Sequence, residues 1–453
     1  MAPLSVSDLA ARFSGQLLQP TDAGYDDARR VHNGLIDKRP TLIARCRNTA
    51  DIVDAVNLAR DNGLEVAVKG GGHNVAGRAT INGGLLIDLS LMKGIHVDPA
   101  ARIARAQGGV TWGEYNRETQ LHGLASTGGV VSTTGIAGLT LGGGLGWLQG
   151  KYGLAIDNLR AAQIVTADGR VLTASADENA DLFWGIRGGG GNFGIAASFE
   201  FRVHPVGPMI AGGLAAHPLE RGRDVLRFFR ERTASLPDEL TLFCGILHAP
   251  DGSGHKIAGL VAAHCGALAD GEAALKPLKA FGPPVMDHLG PIPYSVQNTL
   301  IDASLPKGAR NYWKTNFIPA LTDEAIDVIL DSYARVPSPM SQIVIEHAHG
   351  AMTRIGVGDT AFPHRREGYN LLFLAQWMDP ADDARNAAWA RDSYAAMKPF
   401  FGSAGRYVNY LDDDEPGDPV AQAYGPNYAR LRQIKAKYDP TNFFHMNQNI
   451  KPA

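Results

Sequence analysis

Cysteine is scarce and unpatterned in this 453-residue chain: Cys46, Cys244 and Cys265 stand far apart, and none forms a CxxC pair. An odd, scattered set excludes a disulfide framework and a structural zinc site, so three buried thiols are expected. Charge of one sign is also missing. The 43 Lys and Arg against 46 Asp and Glu leave a formal net charge of −3, so neither the basic footprint of a nucleic-acid binder nor an acidic tail is present. A small molecule is the expected partner, and oligomeric state is not written in these patterns. Membrane spans are not expected either. The uncharged stretch from Gly123 to Gly150 has 28 residues, but 16 of them are Gly, Ser or Thr, the wrong composition for a span. Residues Met1 to Asp8 lack a basic segment followed by an apolar run, which makes a cytoplasmic protein the expectation. There is no G-x-S-x-G elbow for a serine hydrolase and no Gly-Lys-Ser/Thr ending for a P-loop. Internal repeats and low-complexity tracts are absent.

Length and a 45% hydrophobic content predict two domains or one large one. From about Pro40 to Val203 helical and strand patterns alternate. Thr49 to Arg60 places Ile52, Val56 and Leu58 near one helical face, with Asn48 or Thr49 as cap and Asn62-Gly63 as terminator. Strands are expected at Leu64–Val68, Gly84–Leu89, Ala101–Ala106 and Ala162–Thr166, the last closed by a turn at Ala167–Arg170. After Pro208 apolar strands (Leu240–Leu247, Lys256–His264, Ile343–His349, Tyr369–Trp377) alternate with amphipathic helices (Asp323–Arg335, Asp383–Lys398). The aromatic, asparagine-rich tail from Tyr407 to Ile450 is expected to pack back on the first part.

Glycine is the excess: 53 residues, about 12% of the chain against roughly 7% in an average protein. Three clusters, Gly70–Gly77, Gly128–Gly146 and Gly188–Gly194, lie in the first half. Consecutive glycines turn several backbone N–H groups toward one point, which suits a pyrophosphate and so a nucleotide cofactor. The first cluster is no Rossmann fingerprint, because a histidine interrupts it and Asp88 follows on a strand without an intervening helix.

Six stretches occur in order: Val68-Lys-Gly-Gly-Gly-His73-Asn74, Ile87–Ser90, Gly108–Gly113, Gly135–Gly146, Lys151–Asn158 and Asn447-Gln-Asn-Ile450. Together they resemble the FAD-linked oxidases of the vanillyl-alcohol oxidase/p-cresol methylhydroxylase (PCMH) superfamily, in the berberine-bridge-enzyme-like branch. The resemblance implies an α+β protein with a PCMH-type FAD-binding domain at 1–208, completed by 405–453. The substrate-binding domain at 209–404 would be an antiparallel sheet covered by helices. It also implies FAD joined covalently to His73, with Lys69, Gly70, Gly71, Gly72, Asn74, Ser132, Thr133, Gly138, Gly143, Ile195, Asn447 and Asn449 around the cofactor. Val131 stands where related proteins carry a second flavin-linking cysteine, so a single attachment is expected.

The run Tyr407-Val-Asn409-Tyr410-Leu-Asp412 resembles a motif whose second tyrosine is a catalytic base, which maps to Tyr410. Thr134 falls where the family places a residue beside the reactive flavin edge, small enough to admit dioxygen. Strand alternation puts Asn370, Leu372, Leu374 and Gln376 on one face, making Asn370 and Gln376 candidate substrate contacts. His347 and His349 share a face but lack a third ligand, so no metal is expected. The implied activity is oxidation of a C–H bond next to oxygen or nitrogen of a small molecule, with electrons passing to dioxygen to give hydrogen peroxide. A flavin dehydrogenase using another acceptor and a silent flavin-binding protein are the alternatives.

Overall fold

Helix Thr49–Asp61 forms as its sequence predicts. Asn48 caps it by accepting from the Asp51 N–H at 2.9 Å, and Ile52, Ala55, Val56, Leu58 and Ala59 are buried. It packs beside a four-stranded sheet in which Leu42–Arg45, Leu85–Asp88 and Val66–Lys69 run parallel and Gln16–Leu18 adds an antiparallel edge. The computed structural model describes residues 6–402, 405–414 and 417–453. Met1–Ser5 and the expected domain boundary at 404 lie outside the described residues.

A five-stranded antiparallel sheet follows, in the order Ile95–Asp98, Ile103–Gln107, Ile195–Arg202, Leu159–Val165, Val171–Ser175. Between these sheets the glycine-rich segments run as turns and short helices. Further on, the expected strands are found as Leu240–His248, Lys256–His264, Gln342–Ala348 and Gly368–Trp377 in one antiparallel sheet of eight strands. One face of this sheet carries Leu242, Cys244, Ile246, Ile345, Leu371 and Phe373. These pack against helices Gly222–Thr233, Asp323–Ala334 and Asp383–Met397 through Phe229, Ile326, Ile329 and Trp389. The opposite face looks toward the glycine-rich segments. Cys46, Cys244 and Cys265 are free and buried, and burial pushes the Cys244 and Cys265 thiols up to about 12, so they are inert at neutral pH. Among the described residues no helix is long and apolar enough to cross a membrane.

The tail does return. Tyr407, Val408, Leu411, Leu431, Ile434 and Ile450 share a core with Ile136, Phe183, Trp184 and Phe193. Its anchor is polar. Lys435 and Asp439 are wholly buried and paired at 2.6 Å one helical turn apart. Lys435 Nζ also donates to the carbonyls of Asn192 (2.8 Å) and Phe444 (3.0 Å), while Asp439 accepts the N–H groups of Phe443 and Phe444 at 2.8 Å each. The ammonium thus ties the helix Tyr428–Tyr438 to the third glycine cluster. Removing one partner of a buried ion pair leaves a bare charge, at a cost of about 3–5 kcal/mol. Lys435→Met is expected to lose stability on that scale in guanidinium unfolding, and Asp439→Asn added to it should recover part. Wild-type stability in Lys435→Met would remove the pair from the anchor.

Candidate active site

Strand Val66–Lys69 runs directly into the turn Gly70–Asn74. Gly72 has φ +71°, which glycine adopts without strain. A Cβ on Gly71 would stand 2.3 Å from the Gly135 nitrogen, and one on Gly135 would stand 2.3 Å from the Gly71 nitrogen. The first and second glycine clusters therefore touch backbone to backbone. That contact places His73 beside Thr133 and Thr134: its Nε2 is 2.9 Å from Thr133 Oγ1 and its Nδ1 3.4 Å from Thr134 Oγ1. His32 stacks on its ring with centroids 4.0 Å apart. Burial, with the neighbouring His32 and Lys307 adding to it, lowers His73 to about 3, and burial brings His32 to about 4. Both rings are therefore neutral at physiological pH, and a neutral imidazole keeps a lone pair for bond formation.

A cavity of about 530 Å³ opens at this turn. Gly70, Gly71, Gly72, His73 and Asn74 line it, and their backbone N–H groups meet no acceptor among the described residues. Five unpaired donors in one turn form an anion cradle. Thr134, Gly138 and Ile195 line the same cavity, and a Cβ at Gly138 would enter open space. Asn447 also lines it, donating to the carbonyls of Phe444 (3.0 Å) and Gly191 (3.3 Å) while its Oδ1 lacks a partner. These donors and acceptors fit a flavin dinucleotide.

Other expected contacts lie elsewhere. Ser132 lines no cavity described here and is held by Asp302, whose Oδ1 accepts its N–H at 2.9 Å. Gly143, at φ +137°, packs where a Cβ would meet Phe362 at 2.7 Å. Asn449 also stands outside the cavity, though its buried Oδ1 is unpaired. Lys69 pairs with Asp88 at 3.1 Å and donates to the Ala28 carbonyl, and its burial lowers its pKa. Together with Thr133 it borders a second cavity, of about 570 Å³, behind His73.

At the far side Tyr410 is aimed by its own motif. The Tyr407 hydroxyl accepts from the Gly144 N–H (2.9 Å) and from Asn409 Nδ2 (2.7 Å), and Asn409 also donates to the Leu139 carbonyl (3.1 Å). With both neighbours fixed, the Tyr410 hydroxyl reaches Glu346 Oε1 at 3.3 Å, and Trp313 stands edge-on to its ring. Glu346 is buried on strand Gln342–Ala348, and burial pushes it up to about 7 despite a 2.7 Å hydrogen bond donated by Asn370. Burial, reinforced by the Glu346 charge, raises Tyr410 well above the ordinary phenol range. The phenol alone is therefore a poor base, and Glu346 beside it is the group of the pair that titrates near neutral pH.

Glu346 was not among the residues singled out in the sequence. Attention there went to Ile345, His347 and His349, which lie on the opposite strand face. The signal available was the alternation Gln342, Val344, Glu346, a carboxylate on a face with otherwise little charge. Asn370 reaches the site only through Glu346. Gln376, which donates to Asn311 Oδ1 at 3.1 Å, stands outside the cavity, whereas Leu372 and Leu374 between them line it. His347 and His349 stack at 4.7 Å, but among the described residues no cluster of three His, Cys, Asp or Glu side chains includes them.

The arrangement is that of a flavin oxidoreductase: an anion cradle with a neutral histidine at one end of a cavity and a buried hydrogen-bonded Tyr410–Glu346 pair at the other. Comparison with known proteins agrees. A family model for an FAD binding domain matches residues 40–175, and one for berberine and berberine-like proteins matches residues 406–451. An FAD-linked oxidoreductase of Dictyostelium discoideum is 34% identical over 417 residues, 91% of this chain and 89% of that protein. The (R)-6-hydroxynicotine oxidase of Paenarthrobacter nicotinovorans is 33% identical over 467 residues, 98% of this chain and 99% of its own. The crystal structure of 6-hydroxy-D-nicotine oxidase from Arthrobacter nicotinovorans has a TM-score of 0.88 at 29% identity, covering 99% of this chain and 100% of that one. The chain belongs to the FAD-linked oxidoreductases of the berberine-bridge-enzyme-like family.

Proposed function

We propose that this enzyme is an oxidase carrying FAD on His73, and that it oxidises a C–H bond beside a hydroxyl or amine of a small molecule. The observation that carries this reading is the Glu346–Tyr410 pair standing in the same cavity as the His73 turn. When bound, the FAD accepts the hydride and returns the electrons to dioxygen, giving hydrogen peroxide. Residues 1–208 with 405–453 hold the cofactor, and 209–404 shape the substrate side. Gly70 to Asn74 present their N–H groups to the pyrophosphate, and Asn447 offers an amide oxygen. Val131 offers no second attachment point.

Tyr410 takes the proton of the substrate hydroxyl or amine as its own passes to Glu346. The carboxylate supplies the driving force and the phenol the reach. Glu346 must be ionised to receive that proton, so flavin reduction should speed up as pH rises through about 7. Glu346→Gln is expected to slow flavin reduction by roughly 10²–10⁴-fold and to flatten that profile, and Tyr410→Phe should slow it similarly. An unchanged pH profile in Glu346→Gln, followed by anaerobic stopped-flow, would discard the relay.

Attachment is tested without turnover. Acid precipitation of the wild type should leave flavin in the pellet on the peptide containing His73, and His73→Ala should release it to the supernatant. Flavin lost entirely from precipitated wild type would refute the bond. Thr134 lines the cavity next to His73 and is small enough to admit dioxygen. Thr134→Leu should therefore slow reoxidation of reduced enzyme far more than its reduction by substrate. Equal reoxidation rates would take Thr134 out of the oxygen path and favour another electron acceptor.

A further inference from the structure

The sheet face that closes the cavity contains two glycines where strands normally carry side chains. Gly245 and Gly259 are register partners on neighbouring strands, and Gly245 is also opposite Val344. Neither has a positive φ. A Cβ at Gly245 would meet only Leu247 Cδ2, at 3.6 Å, and at Gly259 only the tip of Leu214 is close, at 3.1 Å. Nothing in the backbone or its packing calls for glycine here, and mid-strand glycine weakens a sheet. What the two residues supply is an unfilled depression in the cavity floor.

The ends of that depression are chemically distinct. Gln342, Val344 and Glu346 share the strand face, so Gly245, opposite Val344, has Glu346 and Gln342 as its diagonal neighbours, roughly 7–8 Å away on either side. Gln342 is 7% exposed and lines the cavity, and while its backbone pairs with Leu374, its side-chain amide meets no hydrogen-bond partner among the described residues. An amide that opens on an otherwise aliphatic cavity wall points to a polar ligand group as its partner. Around the floor stand Leu214, Leu247, Ile257, Val261, Leu372 and Leu374, and Glu346 is the one charged side chain this sheet face contributes to the lining.

We propose that the Gly245–Gly259 depression is a slot for a flat, apolar substrate body, with Glu346 and Tyr410 at the reacting end and Gln342 binding a neutral polar group at the other. The substrate class is then a ring-bearing alcohol or amine with a second hydrogen-bonding group. An oligosaccharide is disfavoured, because its hydroxyls would lie unpaired against the aliphatic walls. The assignment of the reacting end rests on the proton relay proposed above; the slot rests on the floor geometry.

Calorimetric titration of the FAD-loaded enzyme with non-oxidisable probes separates the two, since it needs no turnover. 2-Naphthamide and 6-hydroxy-2-naphthamide should both bind, the hydroxyl adding several-fold in affinity, and methyl β-maltoside should not. Gln342→Leu should erase the advantage of the hydroxyl while leaving 2-naphthamide unaffected. Gly245→Val should weaken both naphthamides at least tenfold with an unchanged melting temperature; if that variant does not fold, Gly245→Ala should still weaken them several-fold. The slot is overturned if methyl maltoside binds as well as the naphthamides, if neither naphthamide binds, or if the glycine variant leaves both affinities as they were. It is also overturned if the hydroxyl keeps its advantage in Gln342→Leu. Failure of the relay would appear instead in the pH profile of flavin reduction and leave these affinities untouched.

Discussion

The contact between Gly71 and Gly135 is the constraint on which the rest of the site depends. Two backbones that approach closer than a methyl group allows cannot slide independently, so the His73 turn and the Thr133–Thr134 segment are held in one fixed relation. Position, more than reagent strength, is what a histidine needs in order to meet one carbon of a cofactor. The N–H groups of that turn, which lines the cavity, have no partner among the described residues. Gly71 and Gly135 are thus needed for how near two main chains come, while Gly72 is needed for its backbone torsion.

Charge buried in pairs does the corresponding work between distant segments. Arg365 holds Asp157 with two parallel bonds of 2.8 Å, both side chains nearly inaccessible. Asp157 also accepts the Leu154 N–H at 2.7 Å, and neighbouring Asn158 donates to the carbonyls of Tyr152 and Leu154 at 2.9 Å. The motif Lys151–Asn158 is therefore a clamp between the glycine-rich part and the loop that leads into strand Gly368–Trp377. Such pairs add little net stability, but they tolerate only one geometry. A cavity shared by two halves of a chain needs that selectivity.

Much of this was legible in the sequence where the signal is local. The cap at Asn48, the helix it starts, the strand entering Gly70 and the face shared by Leu372 and Leu374 all follow from spacing alone. Glu346 did not. A glutamate alternating with Gln342 and Val344 reads as an ordinary outward strand position, whereas in the structure it is buried and meets Tyr410, 64 residues further along. The Asp302 partner of Ser132 was hidden for a similar reason, since it lies 170 residues away. Tyr410 stands 3.3 Å from Glu346, and burial with the Glu346 charge raises its phenol rather than lowering it.

The anchoring of Asn192 bears on the order in which the molecule folds. Its carbonyl is bonded by Lys435, its amide donates to the Gln448 carbonyl, and its side-chain oxygen accepts from Ile450, partners 243 to 258 residues further along. Contacts of such separation close late, after most local structure is in place. The third glycine turn is thus completed by long-range closure rather than by its own glycines, so its shape is one of the last local features to become fixed as the chain folds.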